Sequence, residues 1–443
     1  MTLPTSIILG FLLLAAGSYA LERTEIAWLE PTRRVLRAYV FADAKATSDL
    51  LSTIAGGLIT ITSITFSLLL AVQQSAASMT SKVFDKFLRR WHNQASFGFF
   101  IGLALYTLVV LATVDEPFNP LYGASLAVLL TVIALFLLIL LLYTTINQIR
   151  PVEIIEAIHD YTLAARARQQ VLLRKTRRTP CYNGPVRAPI RAPRHGFVTR
   201  IDVHTLGAAT EAARGEVEVV LWVSIGPYAA FQDVIAEVRA QTLAEAMSLG
   251  DAVRGAIRFE RQRDLGVDPA YGIEQLEMIA WTSFSTSKSN PAPGLLTIRA
   301  LRDVLARWSN RDEGASDERP VPVVYTDNAF ARLMGAFESL AVVSSESLQH
   351  QNFTEVVHTF AVMFDRLPWD QQPRAEDLIR RILSSLGEHV LTAELNAARS
   401  ASVATLTTSA RFETATAVQV AQDRLGRSVG KLSSRSTRSA DGR

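Results

Sequence analysis

The sequence contains very little cysteine: Cys181 is the single one among 443 residues, so the chain cannot form an internal disulfide. A lone thiol in a Pro-rich connection after a basic stretch is typical of a reducing cytoplasmic location. The formal net charge is only +3, which does not favour a nucleic-acid-binding surface. We therefore expect anionic lipid headgroups, and not nucleic acid, to provide the counter-charge for the basic residues.

The common sequence patterns of enzymes are missing as well. The chain has no phosphate loop of the type Gly-x-x-x-x-Gly-Lys, no Gly-x-Ser-x-Gly and no His-Glu-x-x-His. Its seven histidines are scattered, and only His350 and His358 are near neighbours in one helical region, where no cysteine or carboxylate completes a ligand set. The sequence thus predicts no enzyme, no cofactor and no metal site.

Long apolar runs are abundant in the first third of the chain. A membrane-spanning helix needs about 20 largely apolar residues, and the runs 54–72, 97–114 and 121–146 satisfy this. A shorter run, 4–21, ends like a signal-peptidase site, but no Lys or Arg precedes it, which favours an uncleaved helix. The sequence predicts a transmembrane domain over 1–150 with four spans, or three if the first run is cleaved.

The distribution of Lys and Arg predicts the orientation, because cytoplasmic connections retain them. Four basic residues lie in the connection 82–90 and seven in the stretch 150–178, whereas the turn 115–120 has none. We therefore expect a multi-pass protein of the bacterial inner membrane with its C-terminal domain in the cytoplasm. The connection 22–49 is assigned outside although it holds five basic residues, which are interspersed with five acidic ones.

A stripe of small and polar residues follows one face of the second span, at steps of three and four. Its members are Thr53, Gly56, Thr60, Ser63, Ser67 and Gln74. Such a stripe is typical of a helix-packing seam, and hydroxyl groups also suit a water-filled ion pathway. The packing seam and the ion pathway are compatible if the helix that packs on the stripe belongs to another subunit. The apolar centre of every span lacks charged residues, which argues against a proton-driven pump.

The remaining chain has the pattern of a soluble α+β domain. A helical extension and a Pro/Arg-rich linker are predicted over 151–194, a small β-rich unit over 195–242 and a helical region over 243–431. The last stretch, 432–443, is predicted to be disordered. The predicted fold class is a mostly α membrane protein with a cytoplasmic α+β domain.

Five charged residues lie close together in the helical region: Arg258, Arg261, Arg263, Asp264 and Asp268. This density would suit the binding of an anion, but mixed charge is more often an ion-pair network on the protein surface. We favour the ion-pair network.

Three segments together resemble a known family: the opening 52–56 of the second span, its exit 73–78, and the segment 271–276, Tyr-Gly-Ile-Glu-Gln-Leu. In this order they are similar to the bacterial membrane proteins grouped as domain of unknown function 2254, from about Ser52 to beyond Leu301. The resemblance implies the architecture and offers no activity. Ser289 and Asn290 replace an Asn and an Asp of the family pattern, so we interpret Asn290-Pro291 as a turn between helices.

Two hypotheses for the function remain. The first is a homo-oligomeric, channel-like or pore-forming protein that conducts ions and is regulated by its cytoplasmic domain. The alternative is a membrane-anchored sensor or scaffold that binds a cytoplasmic partner and transports nothing.

Overall fold

The computed structural model describes residues 2–24, 34–36, 43–77, 91–115, 118–148, 150–213, 215–285, 290–310, 320–383, 389 and 391–428. The chain forms two compact units, Met1–Ile154 and Ile155–Arg443.

The first unit is built from long apolar helices. They are α1 Thr2–Arg23, α2 Ala44–Ala77, α3 Trp91–Ala112 and α4 Leu121–Gln148. Each contains a stretch that is long and apolar enough to cross a membrane. A candidate span is therefore present at each of the four predicted positions, and the predicted class, a mostly α membrane protein whose spans are followed by an α+β domain, is confirmed.

Two glycines of α3 allow α1 to approach it closely. A Cβ atom on Gly98 would lie 2.9 Å from Pro4 Cα, and one on Gly102 would lie 2.5 Å from the Phe11 ring. Gly98 and Gly102 form a Gly-x-x-x-Gly pattern, which brings helices together in lipid. Phe11 then contacts Phe99 edge-to-face, with 5.3 Å between ring centroids. Close packing of α1 on α3 thus depends on the absence of two side chains.

Polar groups connect the helix ends on one side of this unit. Glu22, at the end of α1, is buried, and its carboxylate accepts a hydrogen bond from the backbone N–H of Tyr122 in the first turn of α4. A helix N-terminus favours such a negative group. Tyr106 of α3 donates its hydroxyl proton to the carbonyl of Gly123, over 3.1 Å. These contacts set the ends of α1 and α3 against the start of α4.

The second unit begins with most of α5, Pro151–Lys175, and contains two small sheets. The strands of the first sheet, in spatial order, are β1 Val186–Arg191, β5 Val234–Ala240, β3 Glu218–Leu221 and β7 Val323–Val324. Only the β3–β7 pair is parallel. The strands of the second sheet are β4 Tyr228–Ala229, β2 Gly196–Ile201 and β6 Ile257–Glu260, all antiparallel.

Two helices pack with the sheets around one apolar core. They are α6 Val203–Glu211, capped by Asp202, and α7 Leu243–Ala256, which begins with a capping box between Thr242 and Glu245. Val198, Val219 and Ile235 are fully buried in this core.

Apart from β7, the described elements of the second unit that follow β6 are helices. They are α8 Pro269–Ser285, α9 Ala292–Ser309, α10 Ala329–Glu346, α11 His350–Met363, α12 Gln372–Leu383, α13 Ala393–Thr408 and α14 Phe412–Ser428, with a short 3₁₀ helix at Phe364–Arg366. Glycines again mark the closest contacts: a Cβ on Gly272 of α8 would overlap Thr162 Oγ1 of α5. Gly272 belongs to the segment 271–276 that carries the family resemblance.

The structure corrects the predicted boundaries of the soluble region. Strand β1 lies inside the stretch predicted as an irregular linker, and Pro189 is part of it. The strand is possible because β1 is at the edge of its sheet, where a proline's missing N–H need not be paired. Strands β6 and β7 lie in the region predicted as helical, because short strands that pair with distant strands have no local period. The predicted tail, 432–443, lies outside the described residues.

Candidate functional site

The predicted polar stripe lies on the outward face of α2. Leu51, Ala55 and Leu58 are buried against the other helices of the first unit, with at most 3% of their surface exposed. The described stripe residues on the other face are all exposed: Thr53, Gly56, Thr60, Ser63 and Ser67. The side chain of Gln74 lies outside the described part of the structure. Among the residues that the structure describes, the stripe is therefore not a packing seam between helices of one chain.

The two threonine hydroxyl groups of the stripe are bonded to their own helix. Thr53 donates to the carbonyl of Asp49 over 2.8 Å, and Thr60 donates to that of Gly56 over 2.9 Å. This arrangement satisfies the hydroxyl protons of Thr53 and Thr60 and leaves their oxygen atoms able to accept a further hydrogen bond. At Gly56 and Gly57, no atom of the described residues other than the neighbouring backbone of α2 lies within 4 Å of an added Cβ. The stripe is thus an open surface that offers oxygen atoms and room for a close neighbour.

A groove runs beside the stripe, between α2 and α3. Its volume is about 390 Å³, and Ser63 contributes to both the groove and the stripe. The other residues that line it are Ile59, Thr62, Phe66, Phe97, Ile101, Ala104, Leu105 and Leu108. The groove is mostly apolar, so it suits an acyl chain or an apolar helix face.

The structure joins two of the five clustered charged residues in a buried ion pair. Arg263 Nε lies 2.7 Å from Asp268 Oδ2, and Arg263 also bonds to Glu274 and stacks on the Tyr271 ring at 4.6 Å. Asp268 is 1% exposed and accepts the Tyr271 N–H in the first turn of α8. Burial raises the pKa of Asp268, and Arg263 opposes this shift. The pair fixes the start of α8.

The other three residues of this cluster are exposed and do not join the pair. Arg258 bonds to Glu260 on the same strand over 2.9 Å, and Asp264 accepts the backbone N–H of Gly266 over 2.8 Å. Arg261 is exposed at the end of β6. Arg258 thus forms a surface ion pair, and Asp264 stabilises a turn.

A second buried polar network, which the sequence pattern did not reveal, connects α5 to the loop before α10. Arg166 is 2% exposed; it pairs with Asp327 over 2.8 Å and donates to Gln169 over 2.7 Å. Gln169 in turn donates to the Tyr325 hydroxyl, and burial raises the pKa of Tyr325 to about 12. The residues lie about 160 positions apart, so no local spacing could have indicated them.

The loop between α8 and α9 contains the Asn290-Pro291 turn. Asn290 accepts the Ala292 N–H over 3.0 Å at the start of α9, as a turn residue does, while Ser289 lies outside the described residues.

Among the described residues, no group of three or more His, Cys, Asp or Glu side chains converges as a metal site requires.

These features define a helical membrane protein with several spans, followed by an α+β unit. Residues 1–349 match the model of the family described as "Predicted membrane protein (DUF2254)", and the chain belongs to this family. The match covers more of the chain than the resemblance in the sequence indicated, and it ends just before α11. No curated protein and no solved structure matches the chain.

Proposed function

We propose that the protein is a homo-oligomer in which the α2 stripes of neighbouring subunits meet and line a narrow passive pore for ions. The observation that supports this proposal is the exposure of Thr53, Gly56, Thr60, Ser63 and Ser67 on a helix whose opposite face is buried. The second unit would regulate the pore from the cytoplasm.

Packing in lipid explains why such a stripe favours another subunit. Lipid tails form no hydrogen bonds with a hydroxyl group and make few contacts with a glycine. A second helix, by contrast, can approach closely at glycine and donate hydrogen bonds to the hydroxyl oxygens. Oxygen atoms at the pore wall can replace part of the hydration shell of a cation. Since the span centres contain no charged residue, the pathway would be passive.

Cysteine crosslinking tests the subunit contact. Because Cys181 is the only cysteine, a Cys181→Ser background is free of thiols. In that background, Thr60→Cys or Ser63→Cys should give crosslinked dimers in native membranes. Ile139→Cys is the matched control, since Ile139 is exposed on α4, a different helix. Equal crosslinking from Ile139→Cys and Thr60→Cys would contradict the stripe as the contact.

Planar-bilayer recording of the purified protein tests the pore. We expect single-channel currents that fall when Thr60 or Ser63 is replaced by Leu, and that stay unchanged in Ile139→Leu. The pore is disproved by an absence of conductance in every condition, together with Thr60→Leu and Ser63→Leu variants that are harmless to the cell.

The proposal includes an inner-membrane location, a cytoplasmic second unit and no catalytic role. The distribution of basic residues supports the orientation. The use of Arg263, Asp268 and Glu274 in ion pairs supports a structural role for the densest charge cluster.

The alternative is a membrane-anchored sensor or scaffold that binds a cytoplasmic partner. Exposed aromatic side chains within a short stretch of the second unit favour it: Trp222, Tyr228 and Phe231 are 64%, 55% and 64% exposed. Aromatic residues are enriched where proteins bind one another. A single stoichiometric partner that is captured by the wild type, and lost in a Trp222→Ala/Phe231→Ala variant, would support this alternative.

A further inference from the structure

The segment from β1 to β2 in the second unit carries an excess of positive charge. Residues 186–201 contain no Asp or Glu but four arginines, all exposed: Arg187, Arg191, Arg194 and Arg200. Arg191 and Arg194 donate to the backbone carbonyl groups of Gln232 and Phe259, over 2.9 and 3.0 Å, and neither forms an ion pair with a carboxylate of the described residues. Within that part of the chain, these two positive charges are therefore not neutralised by an acid.

Exposed aromatic side chains lie beside these two arginines. Tyr228 of β4 pairs with Phe197 of β2, and the Gln232 N–H, between β4 and β5, donates to the carbonyl of Ala192, between β1 and β2, over 3.1 Å. The backbone N–H of Trp222 bonds to the start of β5, next to the same connection. Three chain segments thus come together at one end of the two sheets. We name their exposed arginine and aromatic residues the basic-aromatic surface: Arg191, Arg194, Trp222, Tyr228 and Phe231.

A strained turn fixes the position of Phe231. Gln232, which follows it, has φ 70°, in the left-handed region that residues with a side chain seldom adopt. The Ala230 N–H donates to the Asp233 carboxylate over 2.7 Å, and the Asp233 N–H donates to the Ala230 carbonyl over 3.2 Å. Asp233 is the single acidic residue in 222–234, and its carboxylate is held within the turn. Backbone strain of this kind is found at binding sites, and here it presents an aromatic ring to the exterior.

We propose that the basic-aromatic surface docks on the headgroups of an anionic lipid bilayer. Its aromatic rings enter the interfacial layer, which aromatic side chains favour, and its two arginines bind the lipid phosphate groups, to which basic residues are attracted. The candidate spans attach the second unit to a bilayer, so lipid is present at a high effective concentration.

The unneutralised arginines favour lipid over a cytoplasmic protein as the occupant of this surface. A protein partner would have to place carboxylates against each of them, whereas an anionic bilayer offers negative charge over its whole surface. The docking is independent of the proposed pore, because all residues of the basic-aromatic surface belong to the second unit.

Fluorescence quenching of the full-length protein in vesicles tests the docking. In a Cys181→Ser background, a fluorophore is attached to Ala230→Cys, an exposed position beside Phe231. The vesicles consist of phosphatidylcholine with or without phosphatidylglycerol, and a lipid spin-labelled at its headgroup quenches nearby fluorophores. We expect strong quenching only in the anionic vesicles, and we expect it to decrease as the salt concentration rises. A fluorophore on Thr408→Cys, exposed on α13, is the control and should be quenched equally in both kinds of vesicle.

Charge variants identify the arginines. Each arginine near an anionic surface should contribute about fivefold, so Arg191→Gln/Arg194→Gln should lower the ratio of quenched to unquenched fluorophore about 30-fold. Arg374→Gln is the matched control, because Arg374 is an exposed arginine of α12 that donates to a glutamine and lies outside the basic-aromatic surface. This control should leave the ratio unchanged.

Aromatic variants complete the test. Trp222→Ser/Phe231→Ser should also reduce quenching in anionic vesicles, whereas Trp369→Ser, at an exposed tryptophan outside the basic-aromatic surface, should not. Equal quenching of the wild type with and without phosphatidylglycerol would overturn the proposal, as would unchanged quenching in both double variants. Capture of one stoichiometric cytoplasmic protein through Trp222 and Phe231, in a wild type that shows no response to anionic lipid, would assign the surface to a protein partner instead.

Discussion

Glu218 is a fully buried carboxylate that ties the chain after α5 to the first sheet. It lies 3.1 Å from Arg177 Nη1 and 3.8 Å from Arg239 Nη1, and it accepts the backbone N–H groups of Cys181 and Tyr182. The surroundings of the exposed thiol Cys181 are therefore ordered by one acidic side chain of β3. One buried carboxylate thus fixes the conformation of a segment that the sequence predicted to be an irregular linker.

We expect Glu218→Gln to destabilise the second unit by ~2 kcal/mol, because it removes the carboxylate partner of Arg177 and leaves Arg239 paired with Glu237 alone. Urea unfolding of the full-length protein, followed by circular dichroism, measures the change. Glu216→Gln is the control, since Glu216 is exposed two residues earlier on the same segment. Equal destabilisation by both variants would contradict the role of Glu218.

His389 and His350 form a second residue-scale feature. Their Nδ1 atoms lie 2.9 Å apart, His389 Nε2 lies 3.0 Å from Ser345 Oγ, and the His389 ring stacks on Phe353 at 4.1 Å. Burial, and then the neighbouring His350, lower the pKa of His389 to about 4, and burial also lowers the pKa of His350. Both rings are neutral in the folded protein at neutral pH.

This pair predicts a loss of stability in acid. In the unfolded chain a histidine takes up its proton near pH ~6.5, before the folded His389 does, so stability is complete above that pH and falls as the pH approaches about 4. When the pH is lowered from ~7 to ~4.5, we expect the free energy of unfolding to decrease by ~2 kcal/mol less in His389→Phe than in the wild type. The free energy of unfolding as a function of pH measures this. His204→Gln, at an exposed histidine of α6, should behave as the wild type does.

Among the elements, the contact between α5 and α8 depends on Gly272. A Cβ at this position would overlap Thr162 Oγ1 and lie 3.0 Å from Thr162 Cβ. Thr162 itself donates to the carbonyl of Ile158 within α5 and is fully buried, so it cannot move aside easily. Two helices distant in sequence thus meet at one small residue.

We expect Gly272→Ala to destabilise the second unit by ~2 kcal/mol through overpacking. The midpoint of thermal unfolding of the purified protein reports the loss, and Thr162→Ala in the same chain should recover part of it. Gly335→Ala, in the middle of α10, is the control, because no atom of the described residues other than the neighbouring backbone of α10 lies within 4 Å of an added Cβ. This control should be neutral or slightly stabilising. A harmless Gly272→Ala would contradict the close contact.

For the whole molecule, the orientation in the membrane is a prediction that the single cysteine can test. Cys181 is exposed in the second unit. If that unit is cytoplasmic, an impermeant maleimide should label Cys181 in inside-out vesicles and leave it unlabelled in intact cells. Asp115→Cys in a Cys181→Ser background should show the opposite pattern, because the turn 115–120 is predicted to be external. Labelling of Cys181 in intact cells would reverse the proposed orientation.

The family match covers only part of the chain. It ends at residue 349, whereas the helical packing continues through α11 to α14. The His350–His389 pair therefore lies in the part of the chain that the family model does not cover.

The sequence alone determined the positions of the membrane helices, because hydrocarbon offers the backbone no hydrogen-bond partner and requires long apolar helical runs. It also determined which residues share the stripe of α2, since that follows from a local period of 3.6. Only the tertiary structure decided that the stripe faces outward, that Pro189 lies in an edge strand, and that Arg166, Tyr325 and Asp327 meet. Those outcomes depend on contacts between distant parts of the chain, which periodicity does not encode.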